Sequence, residues 1–246
     1  MSMDAETGPA PPLRTKWART SDLFRLTKPG LLSLVLFTTL AGFCTAARGP
    51  IPILLLLDTL VGTALIAGGA TAMNMVREKR RDARMRRTAR RPLAAGRLSS
   101  AQALAFSLVM SAAGLAFLLF RTNPLTAVLA ALVFACYLFL YTPLKTRTWI
   151  STFVGAVSGA LPVVMGWTAA AGSAPSGAWI LFAVVFFWQL PHFFAIGWMH
   201  REDYANAGFR VLPVVDRNGR ATGFLTGAGG LVLAGLTVLP FRMGYA

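Results

Sequence analysis

The sequence predicts an all-α protein, a polytopic bundle of helices that crosses a membrane several times. Of its 246 residues, 55% are hydrophobic and only 13% are charged, whereas soluble domains carry about 25% charged residues. The apolar residues are concentrated in blocks, and about 20 consecutive apolar residues form a helix that crosses the hydrocarbon core of a bilayer. Composition and block length therefore favour a multi-pass membrane protein over a soluble enzyme.

Seven apolar blocks of this length follow one another along the chain. We predict membrane spans at Leu31–Ala47, Ile51–Met73, Ala101–Phe120, Leu125–Tyr141, Ile150–Ala171, Ala178–Met199 and Ala221–Phe241. The loops after the first, third and fifth spans are short and carry little charge, whereas the loops after the second and sixth are long and highly charged. Because loops on a rigid scaffold usually carry the chemistry, we expect function on the side of the charged loops.

The basic residues are distributed unevenly between the two sides. Of 24 lysines and arginines, 21 lie before the first span or in the loops after the second, fourth and sixth spans. This asymmetry predicts a cytoplasmic N-terminus and cytoplasmic charged loops. No secretory signal precedes the first span, so we expect a bacterial inner membrane location. The net charge of +15 then reflects topology and contact with the lipid bilayer, and we expect no nucleic-acid partner.

The loop after the second span begins with a regular series of oxygen-bearing side chains. Asn74, Glu78 and Asp82 are spaced four residues apart. If the helix of the second span continues, they turn only about 40° per step and rise about 6 Å, so they share one face. Oxygen ligands completed by substrate phosphates are the usual way to hold Mg²⁺. The alternative is an acidic stripe that neutralises the ten basic residues of this loop.

A second acidic cluster, Glu202 and Asp203, directly follows the sixth span. It lies on the same predicted side as the first, so the two clusters could form a metal clamp around a diphosphate. An interfacial salt bridge explains this second cluster equally well.

Basic and polar residues near these acids are candidates for substrate binding. Arg87, Arg91 and Lys145 can hold phosphate or carboxylate groups, and contact with lipid headgroups is the alternative. Gln189 and His192 lie inside the sixth span, where polar groups are costly, so we predict that they face a cavity. For His192 the alternative is a hydrogen bond between helices.

Six short strings can be compared with known families. They are Leu26-Thr-Lys-Pro29, Asn74-x-x-x-Glu78-x-x-x-Asp82, Arg87-Thr-x-x-Arg91-Pro-Leu93, Tyr141-Thr-Pro-Leu-Lys145, Trp188-Gln-x-Pro-His-Phe193 and Asp203-Tyr-x-x-Ala-Gly208. Together these strings resemble the UbiA-type intramembrane prenyltransferases, and within that family the heme O synthase branch. The resemblance runs from about Arg25 to Pro213.

The resemblance implies a central cavity with Mg²⁺ and diphosphate bound at its cytoplasmic mouth. It implies catalytic and metal-binding roles for Asn74, Glu78, Asp82 and Asp203. We expect substrate contacts from Arg87, Arg91, Lys145, Gln189, His192 and Tyr204. The implied reaction moves the farnesyl group of farnesyl diphosphate to the 2-vinyl group of heme b, giving heme o for terminal oxidase biogenesis. Heme A synthase or terminal-oxidase assembly proteins are the implied protein partners.

The predicted domain organisation is a cytoplasmic tail, residues 1–24, followed by a transmembrane prenyltransferase domain, residues 25–246. The family usually has nine spans, so seven predicted spans imply a domain that lacks the last two. Two alternatives remain: a UbiA-type enzyme with an aromatic acceptor (a quinone precursor or chlorophyllide), and a truncated, non-catalytic carrier of heme or prenyl lipid. A transporter is disfavoured because its site would lie at mid-membrane, not at helix ends.

Overall fold

The computed structural model describes residues 16–238, and every regular element in this range is helical. A π-helical segment, Cys136–Tyr141, joins α5 to α6. The helices are α1 Lys16–Leu26, α2 Pro29–Ala46, α3 Ile53–Asp82, α4 Ser100–Arg121, α5 Pro124–Ala135, α6 Thr142–Leu144, α7 Ser151–Ala171, α8 Ser176–Met199, α9 Arg201–Asn206, α10 Leu212–Val215 and α11 Arg220–Leu236. The prediction of an all-α bundle is confirmed.

Six helical segments in residues 16–238 are long and apolar enough to cross a membrane, with α5, the π-helical segment and α6 counting as one. They coincide with the first six predicted spans. The prediction of a seventh span at Ala221–Phe241 is not met in the described range. There α11 has only 17 residues, Arg220–Leu236, and the predicted end at Phe241 lies outside the described residues.

Helix α3 is the longest element and carries the predicted acidic series. Its 30 residues span about 45 Å, against about 30 Å for the hydrocarbon core. Helix α3 continues nine residues beyond the predicted end at Met73. The prediction was too short because charged residues end an apolar block without ending a helix. The last turns of α3 bring Asn74, Glu78 and Asp82 to the end of the bundle where the basic loops gather, called here the basic end.

Glycines allow α2 and α7 to pack backbone against backbone. A Cβ atom at Gly42 would overlap the carbonyl oxygen of Val163, and one at Gly166 would overlap that of Thr39. Small residues permit such close approach between membrane helices. This pairing fixes the relation between the two helices that contribute Val35 and Pro162 to the cavity described below.

Ion pairs tie the helices together at both ends of α3. At the end remote from the basic loops, Asp58 pairs with Arg121 at 3.0 Å. At the basic end, Asp22 of α1 pairs with Arg97 of the α3–α4 loop, also at 3.0 Å. Helix α1 is therefore fixed against the loop that follows the acidic series.

The loops of the basic end contact one another. Both carboxylate oxygens of Asp203 accept hydrogen bonds, each 3.3 Å long, from the backbone N–H groups of Arg86 and Arg87. The backbone N–H of Arg210 donates to the carbonyl oxygen of Lys145 at 2.7 Å. The loops after α3, α6 and α8 thus form one surface at this end.

Candidate active site

A cavity of about 380 Å³ opens among these loops and extends into the bundle, within the usual size range of ligand pockets. Its polar end is lined by Lys28, Glu78, Asp82, Arg87, Arg91 and Lys145. Its apolar part is lined by residues that include Val35, Ala67, Ala70, Val133, Pro162 and Phe193. On α3, Ala67 lies about 16 Å below Glu78. The cavity therefore combines a charged mouth with a long apolar interior.

The predicted series on α3 lies on one buried face at this mouth. Because α3 is helical to Asp82, the three side chains occupy successive turns, as predicted. Asn74, Glu78 and Asp82 are only 0%, 3% and 2% exposed. Glu78 and Asp82 line the cavity, and the Nδ2 of Asn74 donates to Glu78 Oε2 at 2.8 Å.

Each of these two carboxylates is paired with a cation. Lys145 Nζ lies 2.9 Å from Glu78 Oε1, and Arg91 Nη1 donates to both oxygens of Asp82 at 2.7 and 2.8 Å. Buried carboxylates require such partners. Burial lowers the pKa of Lys145, but attraction to Glu78, with smaller contributions from two tyrosines, outweighs it and holds that pKa above its ordinary value. Lys145 therefore contributes a positive charge at the mouth at neutral pH.

The π-helical segment places Thr142 and Lys145 against this face. The hydroxyl of Thr142 lies 2.7 Å from Asn74 Oδ1. Arg77 of α3 donates to the carbonyl oxygen of Leu138, inside the π-helical segment, at 2.7 Å. Short π-helical segments inside α-helices are frequent at functional sites. Here the altered register joins α3 to the chain on both sides of Tyr141, whose ring lines the cavity.

Of the two polar residues predicted inside the sixth span, only Gln189 faces the cavity. It is 5% exposed, and Gln189, Phe193 and Ile196 form the cavity-lining face of α8. The expectation that His192 also faces the cavity is not met. His192 precedes Phe193 by one residue, and consecutive residues of an α-helix lie about 100° apart around its axis, so His192 is turned away from the cavity-lining face. His192 is exposed on α8, and its ring stacks on Trp188 with centroids 5.5 Å apart.

The second predicted acidic cluster lies near the first but does not join it. Asp203 does not line the cavity, and its oxygens bind the backbone of the α3–α4 loop. In the described part of the chain, no group of three or more His, Cys, Asp and Glu side chains could hold a metal ion. Arg87 and Tyr204 both line the cavity and contact each other, with Nη2 to Oη at 3.3 Å. A clamp built from both clusters stays a prediction.

The donor chemistry at the mouth nevertheless fits Mg²⁺. Glu78 and Asp82 present carboxylate oxygens to the cavity, and Asn74 adds an amide beside Glu78. Such hard oxygen donors suit Mg²⁺, which keeps some ligands from water or phosphate. Arg91 and Lys145 would then flank the bound phosphates.

Several residues of the site were not predicted. Lys28, Tyr137, Tyr141 and Phe209 line the cavity, and Thr142 donates a hydrogen bond to Asn74 from behind it. Lys28, Tyr141 and Thr142 belong to the strings Leu26–Pro29 and Tyr141–Lys145, which marked the family resemblance. These two strings show neither the spacing of metal ligands nor a pattern of buried charges. The sequence therefore provided no reason to assign a role in the site to the three residues.

A model of the UbiA prenyltransferase family matches residues 35–246. The chain belongs to this family. The protoheme IX farnesyltransferase of Solibacter usitatus (strain Ellin6076) is 44% identical to it over 232 residues, which cover 90% of this chain and 77% of the relative. The protoheme IX farnesyltransferase of Koribacter versatilis (strain Ellin345) is 45% identical over 228 residues, covering 92% and 74%.

Solved structures of more distant proteins share the fold. A digeranylgeranylglyceryl phosphate synthase superposes with a TM-score of 0.75 at 16% identity, over 93% of this chain and 79% of that one. A UbiA homolog from Archaeoglobus fulgidus bound to DMAPP and Mg²⁺ superposes with a TM-score of 0.66 at 16% identity, over 89% and 74%. The chain is thus an integral membrane protein with the UbiA-type helical fold.

Proposed function

We propose that this protein transfers the farnesyl group of farnesyl diphosphate to the 2-vinyl group of heme b, giving heme o for terminal oxidase biogenesis. The observation that carries the proposal is the cavity, in which a buried amide–carboxylate face lies at the mouth of an apolar interior. Relatives 44% and 45% identical are protoheme IX farnesyltransferases. Their identity favours heme over an aromatic acceptor and catalysis over a carrier role.

The proposed metal is Mg²⁺, held by Glu78 and Asp82 with Asn74 beside them. The A. fulgidus homolog bound to DMAPP and Mg²⁺ supports this choice. When bound, the ion supplies Lewis-acid stabilisation of the negative charge on the leaving diphosphate. We include Asp203 as a fourth, more remote contributor, because it orients the backbone of the α3–α4 loop.

The residues of the cavity suit each stage of this reaction. Breaking the C1–O bond leaves the electron pair on diphosphate, where Arg91 and Lys145 stabilise the growing charge. The aromatic faces of Tyr137 and Tyr141 line the cavity and stabilise the allylic cation. The vinyl π electrons then form the new C–C bond, and water adds to the resulting cation with loss of a proton. Farnesyl diphosphate, heme b and water thus give heme o and diphosphate.

The remaining polar residues are proposed to bind and orient the two substrates. Arg87 and Tyr204 at the mouth are placed for the heme propionates, and Gln189 contacts the substrate deeper in the cavity. His192 can contact substrate only from the outer surface of α8, where it is exposed. Heme A synthase or terminal-oxidase assembly proteins are proposed to receive the product.

We place the protein in a bacterial inner membrane with its N-terminus and basic end in the cytoplasm. The positive-inside distribution supports this orientation. Cysteines introduced at Arg86 and Asn206 should react with an impermeant thiol reagent only from the cytoplasmic side, and one at Ser173 only from the opposite side. Labelling of Arg86 and Asn206 positions from different sides would contradict the proposed site.

The reaction itself is tested in purified membranes supplied with farnesyl diphosphate, heme b and Mg²⁺. We expect mass spectrometry to detect the hydroxyethylfarnesyl heme, with loss of product on chelation or with Asp82→Asn. Glu202→Gln is the matched control, because Glu202 is exposed and lies outside the cavity. Product formation at the wild-type rate without a divalent cation would contradict the proposed Mg²⁺-dependent reaction.

A further inference from the structure

Gln189 presents a free acceptor oxygen to the cavity. Its Nε2 donates to the carbonyl oxygen of Ala156 on α7 at 3.3 Å and to that of Val185 on α8 at 3.1 Å. Both neighbours are acceptors, so only the NH₂ end of the amide can face them. Oε1 has no hydrogen-bond partner in the part of the chain that the structure describes. Because buried polar atoms are nearly always paired, this oxygen is open to a ligand in the cavity.

Helix α7 leaves this oxygen uncovered and adds a second acceptor beside it. Gly159 lines the cavity, and a Cβ atom there would overlap Gln189 Oε1. Ser158, one residue earlier, also lines the cavity and is buried. Its hydroxyl donates to the Gly155 carbonyl oxygen at 2.9 Å, so its oxygen remains free to accept a hydrogen bond. The donors of both side chains are used, and two acceptor oxygens face the cavity.

The two acceptors lie close to the proposed place of reaction. Lys145 Nζ lies 4.4 Å from the centre of the Tyr141 ring. That ring packs against α7, where a Cβ atom at Gly155 would come within 2.7 Å of it. Gly155 precedes Gly159 by one helical turn, a rise of about 6 Å. The acceptors are therefore about one turn deeper than the aromatic face that we propose to stabilise the cation.

Two acceptors and no free donor suit one particular ligand, a water molecule. A buried water makes about 2–4 hydrogen bonds to polar groups. A water that donates both of its hydrogens to Gln189 and Ser158 has its oxygen lone pairs directed away from them, into the cavity. This is the orientation that a water needs to attack a carbocation. The proposed reaction requires such an attack, because its product carries a hydroxyl group.

We propose that Gln189 Oε1 and Ser158 Oγ hold the water molecule that adds to the heme in the second step. The inference deepens the proposed function and rests on it for the identity of the acceptor. After the new C–C bond forms, the positive charge lies on the former vinyl carbon attached to the porphyrin. A lone pair of the water forms the C–O bond to this carbon, and the proton that the water then loses passes to the diphosphate released in the first step. Gln189 and Ser158 are positioning residues, which act through the water.

The test measures which product forms. Without a held water, the cation loses a proton from the adjacent CH₂ group and gives an alkene, which mass spectrometry separates from heme o by the mass of one water. We expect Gln189→Leu and Ser158→Ala each to lower the ratio of alcohol to alkene by about 2- to 10-fold, the effect of one hydrogen bond. The total heme b consumed should change less. Thr71→Val is the matched control, because its hydroxyl also lines the cavity but lies on α3.

A conservative variant separates the acceptor from a structural role of the amide. In Gln189→Glu the new carboxyl group lies between two carbonyl oxygens and away from water, so it stays protonated. Its hydroxyl then replaces Nε2 and its carbonyl oxygen replaces Oε1, and the ratio of alcohol to alkene should stay close to that of the wild type. Thermal unfolding shows which variants keep the fold, and Ser158→Ala decides if Gln189→Leu does not fold. An unchanged ratio in a folded Gln189→Leu or Ser158→Ala, or an equally low ratio in Gln189→Glu, would overturn the proposal.

A crystal structure of the wild type with Mg²⁺ and inorganic diphosphate tests the water site without the heme. We expect an ordered water within hydrogen-bond distance of Gln189 Oε1 and Ser158 Oγ, and none there in Gln189→Leu. If the wild type makes no heme o but holds this water, the water site stands and only the proposed acceptor fails. Absence of the water overturns the inference, and formation of heme o then leaves the proposed function standing.

Discussion

Gly159 offers a direct way to change the shape of the cavity. It lies on α7 and lines the cavity opposite Gln189. A Cβ atom at Gly159 would overlap Gln189 Oε1 and lie 3.1 Å from its Cδ, where ordinary contact begins at 3.4 Å. Gly159→Ala therefore forces the Gln189 amide to move, and the cavity is the space available to it.

The structure sets the size of the effect. Gln189 Nε2 donates to the carbonyl oxygens of Ala156 at 3.3 Å and Val185 at 3.1 Å, and each such bond contributes about 0.5–1.5 kcal/mol. Losing both costs about 1–3 kcal/mol, which matches the usual cost of overpacking a core. If the displaced amide opposes substrate binding by a free energy of the same size, kcat/KM falls by about 5- to 150-fold.

The assay is steady-state farnesyl transfer to heme b, combined with thermal unfolding of the same preparations. We expect Gly159→Ala to lower both kcat/KM and Tm, and Gly159→Ala/Gln189→Ala to recover part of the loss in kcat/KM. Gly230→Ala is the control, because nothing lies within 4 Å of the added Cβ atom there. Wild-type kcat/KM in Gly159→Ala, or no recovery in the double variant, would refute the reasoning.

Three further predictions concern the contacts around the acidic face. Thr142→Val removes the hydroxyl that lies 2.7 Å from Asn74 Oδ1; we expect about tenfold lower kcat and a higher Mg²⁺ requirement, measured by metal titration of activity. Arg77→Met removes the bond to the Leu138 carbonyl, and we expect a several-fold lower kcat with little change in expression or membrane insertion. Because the pKa of Lys145 is raised in the folded protein, its ion pair stabilises the fold at neutral pH. This stabilisation is lost only as the pH rises through that pKa. The Tm difference between wild type and Lys145→Met should therefore stay constant from pH 7 to about 10 and shrink only above that.

The sequence was sufficient to predict the spans and the acidic face because both follow from strong local rules. Six apolar blocks coincide with membrane-length helices, since a backbone in lipid must satisfy its hydrogen bonds within the helix. The four-residue spacing from Asn74 to Asp82 predicts a shared face once the helix continues. The length of α3 was underestimated, because a hydropathy block ends at the first charges and a helix does not. The seventh block corresponds to a helix of only 17 residues in the described range.

The parts that were not predicted depend on contacts between distant residues. The π-helical segment has no local sequence signature, and its register is stabilised by Arg77, 61 residues away from Leu138. The exposure of His192 depends on which face of α8 the bundle buries. Because α8 carries apolar side chains on all of its faces, its sequence does not show which face that is. Lys28 reaches the cavity through a left-handed backbone conformation. A lysine in a sequence does not predict this conformation.

Binding of Mn²⁺ in the presence of inorganic diphosphate tests most directly whether Glu78 and Asp82 hold the metal at the cavity mouth. Mn²⁺ accepts the same oxygen ligands as Mg²⁺, and electron paramagnetic resonance distinguishes bound from free ion. Wild type and Glu202→Gln should bind one equivalent or more of Mn²⁺, and Glu78→Gln and Asp82→Asn should each lose most of it. Equal Mn²⁺ binding by all four proteins would contradict the account, because the metal would then lie elsewhere.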